Sequence, residues 1–376
     1  MLTLLISIFI PDYNFSPIDY MSLTKSYLIN GPNNVVRLTN GKKILYIFGD
    51  YHLQAHMQNE CVMNDNYESM DIDKFLSMFM KLNKEKQFDL FTEMYQKDLF
   101  PSMYNYRSRY IDAITKLFKT RLVKQKDEIK INPKYPNIRF HFMDIRYGII
   151  FFSRIFYFVD DYFRNRYIND LDEYTFFLTE LRELAKVTFN SIQSKDNKYI
   201  NKVLNKYSDE GIKKKINLIY QDIFVKNFNL LFEYIEQVLN IVKGIKSSGQ
   251  HDDKIIMKIN ELIDKIDILC KDSFTVLTDL YFIRRFLDKN YITNTILYTG
   301  LAHLSDITYL LVNYFDFKIS DIYYLPENYH LDKEIKKYKT ENYDYISSLS
   351  NNLTFKLPDG MPYQCVNLFD FPVDFS

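Results

Sequence analysis

A chain of 376 residues can bury a large core, as one elaborated domain or two. Its 47% hydrophobic and 26% charged residues are those of a folded protein, and 48 basic and 48 acidic side chains cancel, which excludes the net field that favours nucleic acid or an anionic membrane. Cys61, Cys270 and Cys365 lie far apart without paired spacing, so neither a disulfide framework nor a zinc knuckle is predicted, and a cytoplasmic or other reducing compartment is expected.

The first apolar run, Leu2 to Ile10, is far short of the roughly 20 residues a membrane helix needs. It lacks a basic flank and a small-residue cleavage site, so it reads as an edge strand or docking segment rather than a signal peptide. No other run is long and uncharged enough to span a bilayer. Val35 to Leu38 and Lys43 to Phe48 flank Thr39-Asn40-Gly41-Lys42, a hairpin signal. Residues 69–86 have helical spacing, Phe88 to Phe91 is a short strand ending at Thr92-Glu93, and 105–130 is an amphipathic helix. Arg139 to Met143 is another strand, leading to Asp144-Ile145-Arg146.

Residues 150–290 read as helices only, with Ile212, Ile216, Ile219 and Ile223 forming one stripe and Ile255, Ile259, Leu262, Ile266 and Leu269 another. The turn-rich text from Gly244 to Gln250 separates them, which predicts a helical hairpin. Thr295 to Thr299 restores a strand, a helix follows His303, and Phe317 to Tyr324 is a last strand. The expected fold is therefore α/β, with a mainly parallel sheet flanked by helices. Its first part is 1–149, a helical insertion 150–290, its second part 291–330, and 331–376 a tail wrapping the core. The insertion is a candidate surface for a protein partner.

The chemistry concentrates in two turns. Gly49-Asp50-Tyr51-His52 follows Ile44 to Phe48, and Gly300-Leu301-Ala302-His303 follows Ile296 to Tyr298. With 9 Gly and 6 His in the chain, chance would supply about 0.15 such pairs, short motifs always carrying some false positives. A Gly at a strand end lets the backbone turn sharply and aim a following His over the sheet edge. In parallel sheets functional groups gather beyond the carboxyl ends of the strands, and His52, Glu93, Asp144 and His303 all fall there. His52, Glu93 and His303 form a two-His, one-carboxylate set suited to a Mn²⁺- or Zn²⁺-like ion, with Asp50 as fourth ligand or general base. Arg146 pairs with Asp144 to orient it, or stabilises an oxyanion. His141 reads as a sheet-face residue and Cys61 as a buried thiol. His56 would share the face of His52 on a helix, and His251 and His330 lie in loop-like text.

Phe48-Gly49-Asp50-Tyr51-His52, Asp89 to Glu93, and Tyr298 to Leu304 together resemble the TIKI/TraB, erythromycin esterase and ChaN-like superfamily. That superfamily shares two Gly-x-x-His motifs, a Glu ending the strand after the first, and a helical insertion between them. The likeness covers roughly residues 35–150 and 291–325, and the chain also resembles uncharacterised proteins of large DNA viruses. It implies that His52, Glu93 and His303 are the metal or catalytic residues of a hydrolase acting on an ester or amide in a small molecule or peptide. The superfamily also holds haem-binding proteins. Asp50 stands where several relatives have Glu. The alternative is a non-catalytic structural or binding protein, a virion or scaffold component, that retained the fold. Asp50-Tyr51-His52 also reads as the Asp-x-His of a calcineurin-like metallophosphatase, whose other motifs are missing.

Overall fold

A computed structural model describes residues 27–52, 61, 68–94, 109–119, 132–146, 155, 171–194, 197–248, 253–324, 364–368, 371–372 and 375. The expected N-terminal segment, His56, His251, His330 and most of the tail lie outside these residues.

The predicted hairpin forms as β2 (Asn34–Thr39) and β3 (Ile44–Asp50). Gly41 takes a positive φ of 82° in its turn, and the Asn40 side chain accepts from the Lys42 and Lys43 amides. β1 (Tyr27–Asn30) precedes it. The helical spacing from residue 69 becomes helical only at α1 (Ile72–Leu82), because Glu68–Asp71 is drawn off as β4, pairing in parallel with β1. β5 (Phe88–Thr92), α2 (Arg109–Phe118) and β6 (Ile138–Phe142) follow. The predicted continuation of α2 to residue 130 lies outside the described residues.

The helical stretch comprises α3 (Leu171–Gln193), α4 (Lys198–Asn205), α5 (Glu210–Ile219), a π-helical turn (Tyr220–Val225), α6 (Lys226–Ser248) and α7 (Asp253–Asp288). The predicted break at Gly244 is displaced, since α6 runs through Ser248. The lower helix propensity of one Gly is overridden by buried Val238, Val242 and Ile245. β7 (Asn294–Gly300), α8 (Leu301–Phe315), β8 (Lys318–Tyr323) and β9 (Cys365–Asn367) complete the chain.

The main sheet has the order β6-β5-β7-β3-β2-β8. β6, β5, β7 and β3 are parallel, and β2 and β8 close one edge antiparallel. β1 sits between β4 and β9 in a second, small sheet. Successive side chains of a strand point to opposite faces, so each face has its own core. Leu45, Ile47 and Phe91 join α7 and α8 on one face, where Phe91 meets Phe282 edge-on at 5.0 Å. Tyr46, Phe48 and Leu90 face α1 and α2 on the other.

The end of the chain does more than wrap the surface. Phe371 and Phe375 are buried, the first 5.5 Å from the Phe75 and Phe79 rings and the second 4.9 Å from Phe88 and Tyr46. The cysteine reading is also overturned: Cys61 and Cys365 form a disulfide across 304 residues, and Cys270 is a buried free thiol. Sequence separation hid that pair, because only the antiparallel contact of β9 with β1 brings Cys365 back beside the N-terminal part.

Candidate functional site

The parallel register sets Asp50 of β3 beside Gly300 of β7, and Thr92 of β5 beside Tyr298. The two Gly-x-x-His turns thus leave adjacent strands at the same edge, and Glu93 leaves the strand next to them.

The two glycines are needed for space rather than for their torsions. Gly300 has an ordinary φ of −66°. A Cβ there would lie 2.9 Å from His52 Nε2 and 3.2 Å from Glu93 Oε2. A Cβ on Gly49 would lie 2.7 Å from Leu304 and 2.8 Å from Leu301. The unusual torsion belongs to His52, whose φ is 56°. Its amide donates to Asp50 Oδ1 at 2.9 Å, which holds the left-handed turn. Gly300→Ala is expected to displace His52, seen as loss of the His52–Glu93 contact and altered His52 ring signals in NMR spectra, with the global fold kept. Unmoved signals would count against this packing.

His303 is not beyond its turn but inside the first turn of α8, where it is buried. Glu93 is the hub. Its Oε2 accepts from His52 Nε2 at 2.9 Å, Thr299 Oγ1 at 3.0 Å and the Gly300 amide at 2.7 Å. Its Oε1 faces His303 Nε2 at 3.0 Å and Arg146 Nη2 at 2.7 Å. Arg146 also makes a two-pronged pair with Asp144, so one guanidinium bridges Asp144 and Glu93. Asp50 is fully buried and accepts from Tyr298 Oη at 3.0 Å and from the Gln364 amide, which places it behind His52 rather than at the front of the site.

Each imidazole lies between two carboxylates. His303 Nδ1 is 2.6 Å from Asp279 Oδ1, and His52 Nδ1 is 3.5 Å from Asp50 Oδ2. Only an imidazolium can present N–H to both sides. Burial lowers both pKa values, but the flanking carboxylates outweigh it and lift His52 and His303 each to about 10. Burial raises Glu93, and the two cationic rings overcome this and hold it well below the carboxylate range. Burial leaves Asp279 raised.

Asp279, Tyr298, Thr299 and Gln364 were missed by the sequence reading. Asp279 had one signal, an acidic residue within the apolar stretch Val276-Leu277-Thr278-Asp279-Leu280 of α7. Gln364 had none. His141 lies on the sheet as expected, stacked on Phe91 at 4.4 Å and bonded to Asp89 at 2.7 Å, outside this cluster.

His52, Glu93 and His303 are of the right types to bind a divalent ion, but they face one another through hydrogen bonds. Among the described residues, no three His, Cys, Asp or Glu side chains have metal-site spacing. Glu93 already faces five donors, one the Arg146 cation, and both rings would have to give up a proton. The residues in this arrangement do not fit a resident divalent ion.

A family of unknown function, DUF5847, matches residues 27–198 and 247–376. The chain belongs to this family. Among similar proteins, the uncharacterised protein R706 of Acanthamoeba polyphaga mimivirus is 28% identical, covering 93% of this DUF5847 chain and 97% of that protein. The uncharacterised protein R161 of the same virus is 25% identical over 93% and 98%, and R160 is 29% identical over 79% and 87%. No solved structure matches. The viral likeness therefore holds, whereas nothing in these comparisons supports the TIKI/TraB, erythromycin esterase and ChaN-like resemblance. Among the described residues of this DUF5847 protein, no helix is long and apolar enough to cross a membrane.

Proposed function

We propose that this DUF5847 protein hydrolyses an ester or amide bond by acid–base chemistry at His52. One observation carries the reading: two imidazoles share one carboxylate, each is backed by another, and one ring opens outward. The His52 side chain is 34% exposed, against 7% for Glu93 and 4% for His303.

Water adds to the carbonyl carbon as the His52 imidazolium gives its proton to the departing oxygen or nitrogen. The neutral ring left between Asp50 and Glu93 is a strong base and takes the surplus proton from the added water, so that the C–O or C–N bond breaks, the acid and the alcohol or amine leave, and the imidazolium is restored. Glu93 spreads the changing charge towards His303, Arg146 and Asp279. General acid–base catalysis of this kind contributes about 10²–10⁴-fold.

The test is hydrolysis of a graded series of p-nitrophenyl esters and anilides by wild type, His52→Ala and His52→Gln, with metal content measured by mass spectrometry. We expect a loss of about 100-fold or more in kcat for both variants, in preparations without stoichiometric metal. Activity equal to wild type in both variants would overturn the assignment. Stoichiometric metal that His52→Ala loses would replace it by metal-dependent hydrolysis. Absence of turnover across the whole series would favour a non-catalytic viral component.

A further inference from the structure

The chain end enters the site from the far side of the sequence. Gln364 is fully buried, and its amide group donates to Asp50 and to the Gly31 carbonyl at 3.2 Å. The Gln364 backbone carbonyl accepts from the Gly31 amide at 3.2 Å. Asp50 in turn holds the His52 amide in its left-handed turn. A two-link path therefore runs Gln364–Asp50–His52.

Among the described residues, the three-residue β9 pairs with β1, itself a four-residue strand, and buried Phe371 and Phe375 anchor the chain beyond it. The next residue after Gln364 is Cys365, joined to Cys61, whose amide donates to Asn30 Oδ1 at 2.7 Å. Asn30 and Gly31 are the end of β1 and the residue that Gln364 grips. The covalent link thus ties the two sides of the same clamp together.

We propose that the Cys61–Cys365 disulfide is a redox lock on the site, and that Gln364 is the positioning residue through which it acts on His52. The proposal rests on the reading of His52 as the working acid–base group. A dithiol supplies two electrons and two protons: its sulfurs join as a disulfide, the Cys61–Cys365 bond breaks, and two thiols remain. Without the link, Gln364 leaves Asp50 more readily, Asp50 loses a donor, and the His52 turn loosens. Oxidation restores the clamp, so the site is complete only in the oxidised chain.

The experiment compares oxidised wild type, Gln364→Ala, Cys61→Ser/Cys365→Ser and the triple variant, with thiol counting and circular dichroism on each. Outer partners that orient a working group are worth about 10–100-fold. Gln364→Ala and the serine pair should each lower kcat by about 10-fold with KM held, and the triple variant should be no worse than either. The His52 ring signals in NMR spectra should shift alike in all three. Effects that multiply, or a serine pair with wild-type kcat and unmoved His52 signals, would overturn the lock. Should the serine pair fail to fold, dithiothreitol-reduced wild type takes its place, and unmoved His52 signals with free thiols counted overturn it equally. Should oxidised wild type lack turnover, the hydrolase reading fails alone, and the His52 signals still decide the lock.

Discussion

His303→Ala is expected to destabilise the protein by about 3–5 kcal/mol, the cost of breaking a buried ion pair by removing one partner. His303 is 3% exposed, and Asp279, fully buried, depends on it through the 2.6 Å contact. The other Asp279 oxygen has no hydrogen-bond partner among the described residues. The alanine variant therefore leaves a buried carboxylate without its imidazolium and takes one of five donors from Glu93. His303→Ala/Asp279→Asn should recover part of the loss, because an amide carries no charge to strand. Urea unfolding of wild type and the two variants measures both effects. A single variant within about 0.5 kcal/mol of wild type, the range of ordinary surface substitutions, would contradict the pairing.

The second large effect is a dependence of stability on alkaline pH. His52 and His303 have folded values of about 10, above their ordinary 6.5. A group raised on folding stabilises fully below its unfolded value, and that contribution fades as pH climbs through its folded value. The window thus runs from pH 6.5 to about 10. Lys43 works the other way, since burial outweighs the attraction of Asp89 and holds it at about 8 against an ordinary 10.5. Its contribution makes stability rise with pH between those two values. The difference between wild type and His303→Gln cancels Lys43 and isolates the histidine. That difference should shrink from pH 6.5 to 10 in urea unfolding curves, and a constant difference would show that His303 is not held as an imidazolium.

Much of the fold is written in local text. The Asn-Gly turn, the short apolar strands that lead to Glu93 and towards Arg146, and the stripes of α5 and α7 each follow from periodicity or turn chemistry over a few residues. Where local reading failed, a distant partner had won. Residues 68–71 have helical spacing, yet β1 claims them as a strand. Gly244 suggests a turn, yet buried neighbours carry α6 past it. The two cysteines carry no spacing signal, yet β9 folds back onto β1.

The site divides along the same line. By itself, the sequence indicated that two Gly-x-x-His turns and one strand-end Glu share a sheet edge, because the alternation of strands and helices implies parallel strands whose carboxyl ends lie together; the strand order that makes them neighbours came from the structure. Only the tertiary structure decided what kind of meeting it is. The rings face Glu93 as imidazolium partners because Asp50 and Asp279 stand behind them, and Asp279 comes from a helix that carries no motif. The glycines are small because His52 and α8 occupy the space a Cβ would take. Gln364 holds Asp50 from 314 positions away, a distance that no pattern along the chain encodes and that only packing closes.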